Sequence, residues 1–292
     1  MKSKKIKLLM VLLTIAALAV IFIAVIFPGI RDRESTVGTA SLPAAASHAM
    51  GERRTYTFDQ LAGMSTGYLL LVNYTHPTPA ELTGNLVRAA DRVAVSPVNP
   101  NVLILESALD ALVEMFAYAA SERNFMSFRV SEGFRTEERQ RDLWDNAANQ
   151  ALVAYPGHSE HQMGLAADIS YAGVNIGNSA QGSWLMANAY RFGFILRYPA
   201  HKTEITNVPF EPWHYRFVGQ PHAFFMMRND LVLEEYIQLL QREGALNINL
   251  VGIDYRIVHI PGGGYVEIPE GYVFTASLDN TGGVIVTMWR SS

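Results

Sequence analysis

The chain has 292 residues, 49% of them hydrophobic and 17% charged, with a formal net charge of -4. That is a globular composition with room for one large or two modest domains, and its slightly acidic balance lacks the basic face that nucleic acid requires. There is no cysteine, which excludes disulfides and thiolate metal sites, so any metal must be held by histidine and carboxylate.

The N-terminal residues 1–7 carry Lys2, Lys4, Lys5 and Lys7, and Leu8 to Phe27 then run without a charge. Such a run is long enough to cross a hydrocarbon core of about 30 Å. Lysines before it, against the mixed-sign RDRE from Arg31 to Glu34, predict a cytoplasmic N-terminus, a signal anchor over 8–28 and an extracellular remainder. A cleaved signal peptide is the rival reading. Its apolar region is normally about 7–15 residues with a small-residue cleavage site close behind, and the nearest such site, Ala44 to Ala46, lies far downstream. Residues 29–54 are rich in Ser, Thr, Ala, Gly and Pro and read as a flexible tether with a reach of roughly 25–30 Å.

Residues 55–245 are expected to form the main domain. Leu105, Leu109, Leu112 and Phe116 recur at helical spacing, predicting a helix over 102–122. Phe128 to Val130 suits a short strand. Thr136 followed by Glu137 and Glu138 reads as an N-cap opening a helix to about Val153. Residues 164–170 suit a buried strand, 181–192 a helix stopped by Gly193, and 194–198 and 213–218 two further strands. Residues 221–242 read as helix in two pieces broken near Asn229 and Asp230. From about residue 246 to 292, short β-rich runs alternate with turns such as PGGG and NTGG. They predict a small β-rich C-terminal appendage that needs the main domain to pack on. The fold class is therefore α+β, a mixed, mainly antiparallel small sheet with flanking helices.

Two metal-binding residue types, His161 and Asp168, stand seven apart in SEHQMGLAADIS, and His214 follows Glu211 in FEPWHYRF. Together they offer two nitrogens and one oxygen, the donor set of a catalytic zinc with an open position, beside a carboxylate able to take a proton from water. Singly, each has an ordinary reading. His161 suits a turn, Asp168 a cap, Glu211 a surface charge, and Trp213 the interior of a strand.

The run YPGHSEHQMGLAADIS, then FGFILRYP, then FEPWHYRFVG closely resembles the VanY-type D-alanyl-D-alanine carboxypeptidases, zinc peptidases related to the VanX dipeptidases and the cell-wall L,D-carboxypeptidases. The family pattern S-x-H-x-x-G-x-A-x-D is met by Ser159, His161, Gly164, Ala166 and Asp168, and E-x-W-H by Glu211, Trp213 and His214. The likeness runs from about Leu69 to Glu235. It implies that His161, Asp168 and His214 bind one Zn2+ and that Glu211 is the general base that later protonates the leaving amine. It also implies that Arg135, in EGFRTEERQ, stabilises the developing oxyanion. Gln140, Ser159 and Trp213 are the implied substrate-binding residues. Glu132, Phe134 and Thr136 depart from the usual Ser, Tyr and Ser, and Glu132 adds a negative charge where a carboxylate-ended peptide should bind.

The expected function is a membrane-anchored zinc carboxypeptidase acting on peptidoglycan stem peptides. Its rivals are an L,D-carboxypeptidase, a non-catalytic peptidoglycan-binding relative and a structural zinc site. The expected partners are stem peptides and the membrane, with no nucleic acid.

Overall fold

The computed structural model describes residues 52–79, 84–92, 96–97 and 100–290. The basic tail, the anchor expected over 8–28 and nearly all of the linker lie outside them. Among the described residues no helix is long and apolar enough to cross a membrane.

The chain opens with strand β1 (Arg53–Thr57) and helix α1 (Phe58–Ala62), whose N-cap Thr57 exchanges hydrogen bonds with Gln60. Strands β2 (Leu86–Arg88), β3 (Ser96–Pro97) and β4 (Leu103–Leu105) lead into helix α2 (Glu106–Arg123). Leu109, Leu112, Met115 and Phe116 of α2 are buried at helical spacing. Asn124 ends it in the left-handed region at φ 58°. After β5 (Phe128–Glu132), Thr136 caps α3 (Glu137–Asp145) through a bond from the Arg139 amide. Strand β6 (Ala166–Tyr171), helix α4 (Ala180–Asn188), strand β7 (Phe194–Leu196), the short α5 (Thr203–Thr206) and strand β8 (His214–Phe217) complete the first half. Helices α6 (His222–Arg228) and α7 (Leu233–Glu243) precede β9 (Ala245–Leu250), β10 (Ile253–Pro261), β11 (Tyr265–Pro269), β12 (Tyr272–Leu278) and β13 (Gly283–Arg290).

The central sheet has the order β3-β5-β6-β8-β7. Its only parallel pair is β3 with β5, so the architecture is the mixed α+β type with small, mainly antiparallel sheets. Its core joins Leu109, Leu112 and Phe116 of α2 to Val130, Ile169 and Tyr215 of the sheet.

The C-terminal strands form a second sheet, β12-β13-β10-β9. Val218, Leu233, Tyr236, Ile237 and Leu240 pack with Ile248, Ile257 and Ile285 in one buried cluster. Helices α6 and α7 thus glue that sheet to the first half, and burial of each such side chain stabilises by about 1.5–3 kcal/mol. Two differences from the sequence reading stand out. Helix α3 stops at Asp145 rather than near Val153, because Asn146 folds its side-chain amide back onto the Asp142 carbonyl at 2.7 Å. Arg53 and Arg54, read as linker, belong to β1, which pairs antiparallel with β11 of the C-terminal region.

Candidate metal and catalytic site

Three chain segments converge on the inner strands of the central sheet. Asp168 and His214 are Cα partners across β6 and β8, and Glu132 is the partner of Asp168 across β5 and β6. His161 comes from the 3-10 turn Glu160–Met163, which Gly164 ends at φ 67°. The left-handed conformation at Gly164 favours glycine, and a Cβ there would also press on the Leu86 side chain at 2.6 Å.

One donor atom each from His161, Asp168 and His214 lies within 4.8 Å of the others. Asp168 Oδ1 is 3.4 Å from His161 Nε2 and 3.2 Å from His214 Nδ1. It is buried and makes no hydrogen bond. A buried carboxylate oxygen without a hydrogen bond normally costs stability, and two imidazole nitrogens beside it form a mixed N and O set that suits a divalent cation such as zinc. The residues therefore fit a metal. Burial disfavours the Asp168 anion, but His161 and His214 outweigh burial and hold the carboxyl well below the usual range.

The outer ring nitrogens are occupied. His161 Nδ1 is 2.8 Å from the Gly133 carbonyl and donates to it, leaving Nε2 for the cluster. A Cβ on Gly133 would lie 2.3 Å from the Leu103 carbonyl, so this backbone approach also needs glycine. His214 Nε2 is 3.3 Å from Glu160 Oε2, leaving Nδ1 for the cluster. Burial opposes charging of His214, yet Asp168 and Glu160 raise its pKa to about 9. The pocket is built to hold positive charge.

Glu211 Oε2 lies 3.7 Å from His214 Nδ1. Burial pushes its carboxyl above the ordinary value, His214 and His161 oppose this, and Asp168 and Glu160 reinforce it. A half-buried carboxylate with a raised pKa beside a cation site is suited to take and return a proton.

Arg135 Nη1 donates to Gln140 Oε1 at 2.7 Å, and Nη2 is 3.6 Å from Glu132 Oε2. Its Nε is buried and makes no hydrogen bond. Gln140 is fully buried, and its Nε2 donates to the Ala154 carbonyl at 2.6 Å. Both halves of its amide are therefore engaged, and Gln140 holds Arg135 in place from behind. Ser159 is only 5% exposed, whereas Trp213, next to His214 in sequence, is 40% exposed. Sequence reasoning missed Glu160, Arg197, Arg216 and Glu234. The available signal was an arginine in each of the apolar runs FILRYP and WHYRFV.

A family model described as VanY, D-alanyl-D-alanine carboxypeptidase, matches residues 102–220. The chain is 32% identical over 234 residues to a D-alanyl-D-alanine carboxypeptidase of Enterococcus faecium, covering 77% of this chain and 76% of that protein. It resembles the solved vancomycin-resistance D,D-dipeptidase VanXYg, determined with a D-Ala-D-Ala phosphinate analogue, with a TM-score of 0.70 and 28% identity over 83% of this chain and 100% of that one. A mutant vancomycin-resistance D,D-pentapeptidase VanY in complex with Zn(II) matches with a TM-score of 0.50 and 36% identity, covering 58% of this chain and 98% of that one.

Proposed function

The chain belongs to the VanY family of D-alanyl-D-alanine carboxypeptidases, and from that premise we propose that it removes the C-terminal D-alanine of peptidoglycan stem peptides with one Zn2+ held by His161, Asp168 and His214. The observation that carries this reading is the meeting of those three donors within 4.8 Å, with the Glu211 carboxylate 3.7 Å from His214. A zinc ion in such a set lowers the pKa of water towards about 7 and polarises a carbonyl.

The side chains do the rest. Glu211 accepts the proton of the attacking water and hands it to the leaving amine, a role its raised pKa suits. Arg135, held by Gln140, donates to the peptide oxygen as that oxygen gains charge. Ser159 and Trp213 flank the place where the peptide end lies. The apolar run 8–28 and the tether behind it keep the catalytic part outside the cell, near the membrane face where new stem peptides appear.

The test is to incubate the full-length protein and zinc with pentapeptide and tetrapeptide stems and identify the released residue by mass. Release of D-alanine from the pentapeptide supports the proposal. Release only from the tetrapeptide makes the protein an L,D-carboxypeptidase, and release from neither makes it a peptidoglycan-binding relative.

A further inference from the structure

Glu160 precedes the ligand His161 in sequence, yet its carboxylate reaches the other histidine. It is 2% exposed, and its Oε2 lies 3.3 Å from His214 Nε2. Its Oε1 accepts from Arg197 Nε at 2.8 Å and from Arg216 Nη1 at 2.7 Å, and both arginines are fully buried. Arg197 continues as a bidentate fork onto Glu234 of α7, at 2.6 and 2.8 Å. Arg216 Nη2 donates to the carbonyls of Tyr68 and Leu70. Two anions and two cations are thus buried together, with their charges balanced.

Such a buried ionic group is a poor way to gain stability, because desolvating the charges offsets most of their attraction. Its retention points to a positional task. Glu160 Oε1 accepts from two guanidinium groups at once, at 2.8 and 2.7 Å, the pairing of a carboxylate with two cations. An ionised carboxylate only accepts hydrogen bonds, so the nitrogen it faces must carry the proton. His161 is fixed in the opposite sense, donating from Nδ1 to the Gly133 carbonyl.

We infer that Glu160 is a positioning residue for the metal site, fixing His214 with its proton on Nε2 and its lone pair on Nδ1, and that Arg197 and Glu234 anchor this contact to helix α7. The inference rests on the reading of His161, Asp168 and His214 as a metal site. It also gives the C-terminal part a role at the site. Helix α7 supplies Glu234, and it also packs Ile237 and Leu240 in one cluster with Ile248 and Ile257 of the second sheet.

The test compares wild type with Glu160→Gln in a zinc titration against a chromogenic chelator. Outer contacts of this kind are typically worth about 10–100-fold in metal affinity, so a loss of that size is expected, with kcat falling and KM little changed. Long-range proton–nitrogen NMR on zinc-loaded wild type supplies a reading that needs no variant. It should show His214 bound through Nδ1 with a slowly exchanging Nε2 proton. Wild-type uptake with unchanged affinity in Glu160→Gln, or His214 bound through Nε2, overturns the inference alone. If the variant does not fold, the wild-type spectrum decides. Wild-type protein that takes up no zinc overturns the metal reading and the inference with it.

Discussion

Glu211 and His214 are joined by a closed turn, in which the His214 amide donates to the Glu211 carbonyl at 3.1 Å and the two side chains meet at 3.7 Å. The turn therefore ties the position of the candidate base to that of the candidate ligand. Glu211→Ala should lower kcat by roughly 10²–10⁴-fold, the usual contribution of general acid–base catalysis. Zinc content, measured by metal analysis, should stay at one per chain, because Glu211 is outside the donor set. Loss of the metal together with activity would reassign Glu211 as a ligand.

Gln140 was expected from sequence to bind the substrate; it is fully buried, with its amide bonded to Arg135 and to the Ala154 carbonyl. Replacing it with Leu removes the acceptor for Arg135 and the donor to the Ala154 carbonyl. Leaving buried polar groups unpaired costs about 1–3 kcal/mol each. The variant should show a lowered unfolding midpoint and a reduced kcat, with KM nearly unchanged. A large KM increase at unchanged stability would instead place Gln140 in direct contact with the peptide.

Glu132 faces Arg135 at 3.6 Å with 41% of its side chain exposed. Its negative charge would repel a carboxylate-ended peptide approaching that guanidinium. At 4 Å in water, two unit charges interact by about 1 kcal/mol, so Glu132→Gln should lower KM by about fivefold at low salt. The gain should shrink at high salt as screening shortens the reach of the charge. Steady-state kinetics at two ionic strengths would check both parts.

His222 links the two halves of the molecule, with Nδ1 2.8 Å from the Tyr236 hydroxyl and Nε2 2.9 Å from Thr287 Oγ1. Burial lowers its pKa from 6.5 to about 3. The unfolded chain therefore takes up a proton that the fold excludes, and stability falls as pH drops from about 6.5 towards about 3. At pH 4.5 the loss is about 2–3 kcal/mol relative to pH 7.5, or roughly 5–10 °C in the melting midpoint. His222→Gln should melt lower at pH 7.5 but show a flatter midpoint between pH 6.5 and 4.5, a window above most carboxylate titrations. An equal slope in both proteins would remove His222 from this role.

Much of this was legible in the chain because the informative residues are local. Thr136 with two acids behind it marked the start of α3, and Gly193, at φ 82°, marked a stop. The order of Ser159, His161, Asp168, Glu211 and His214 pointed to a metal site, but spacing alone could not show that Asp168 and His214 face each other. That is a strand pairing across 46 residues, and register is set by burial of a whole sheet face rather than by neighbours in sequence. Strand β1 was missed for the same reason. Four of its five residues are exposed, so it carries no apolar alternation, and its partner β11 is some 210 residues away. The Glu160, Arg197, Arg216 and Glu234 group was missed because charged residues are almost always surface residues unless paired, and pairing is visible only in three dimensions.

We propose that one zinc ion held by His161, Asp168 and His214 supports release of the terminal D-alanine. The most direct test is to strip the protein with a chelator, return zinc in measured steps and follow D-alanine release from a pentapeptide stem. The expected result is no release without metal, a linear recovery that levels off at one equivalent per chain, and no recovery in His214→Ala. Full release from the chelator-stripped protein would contradict it.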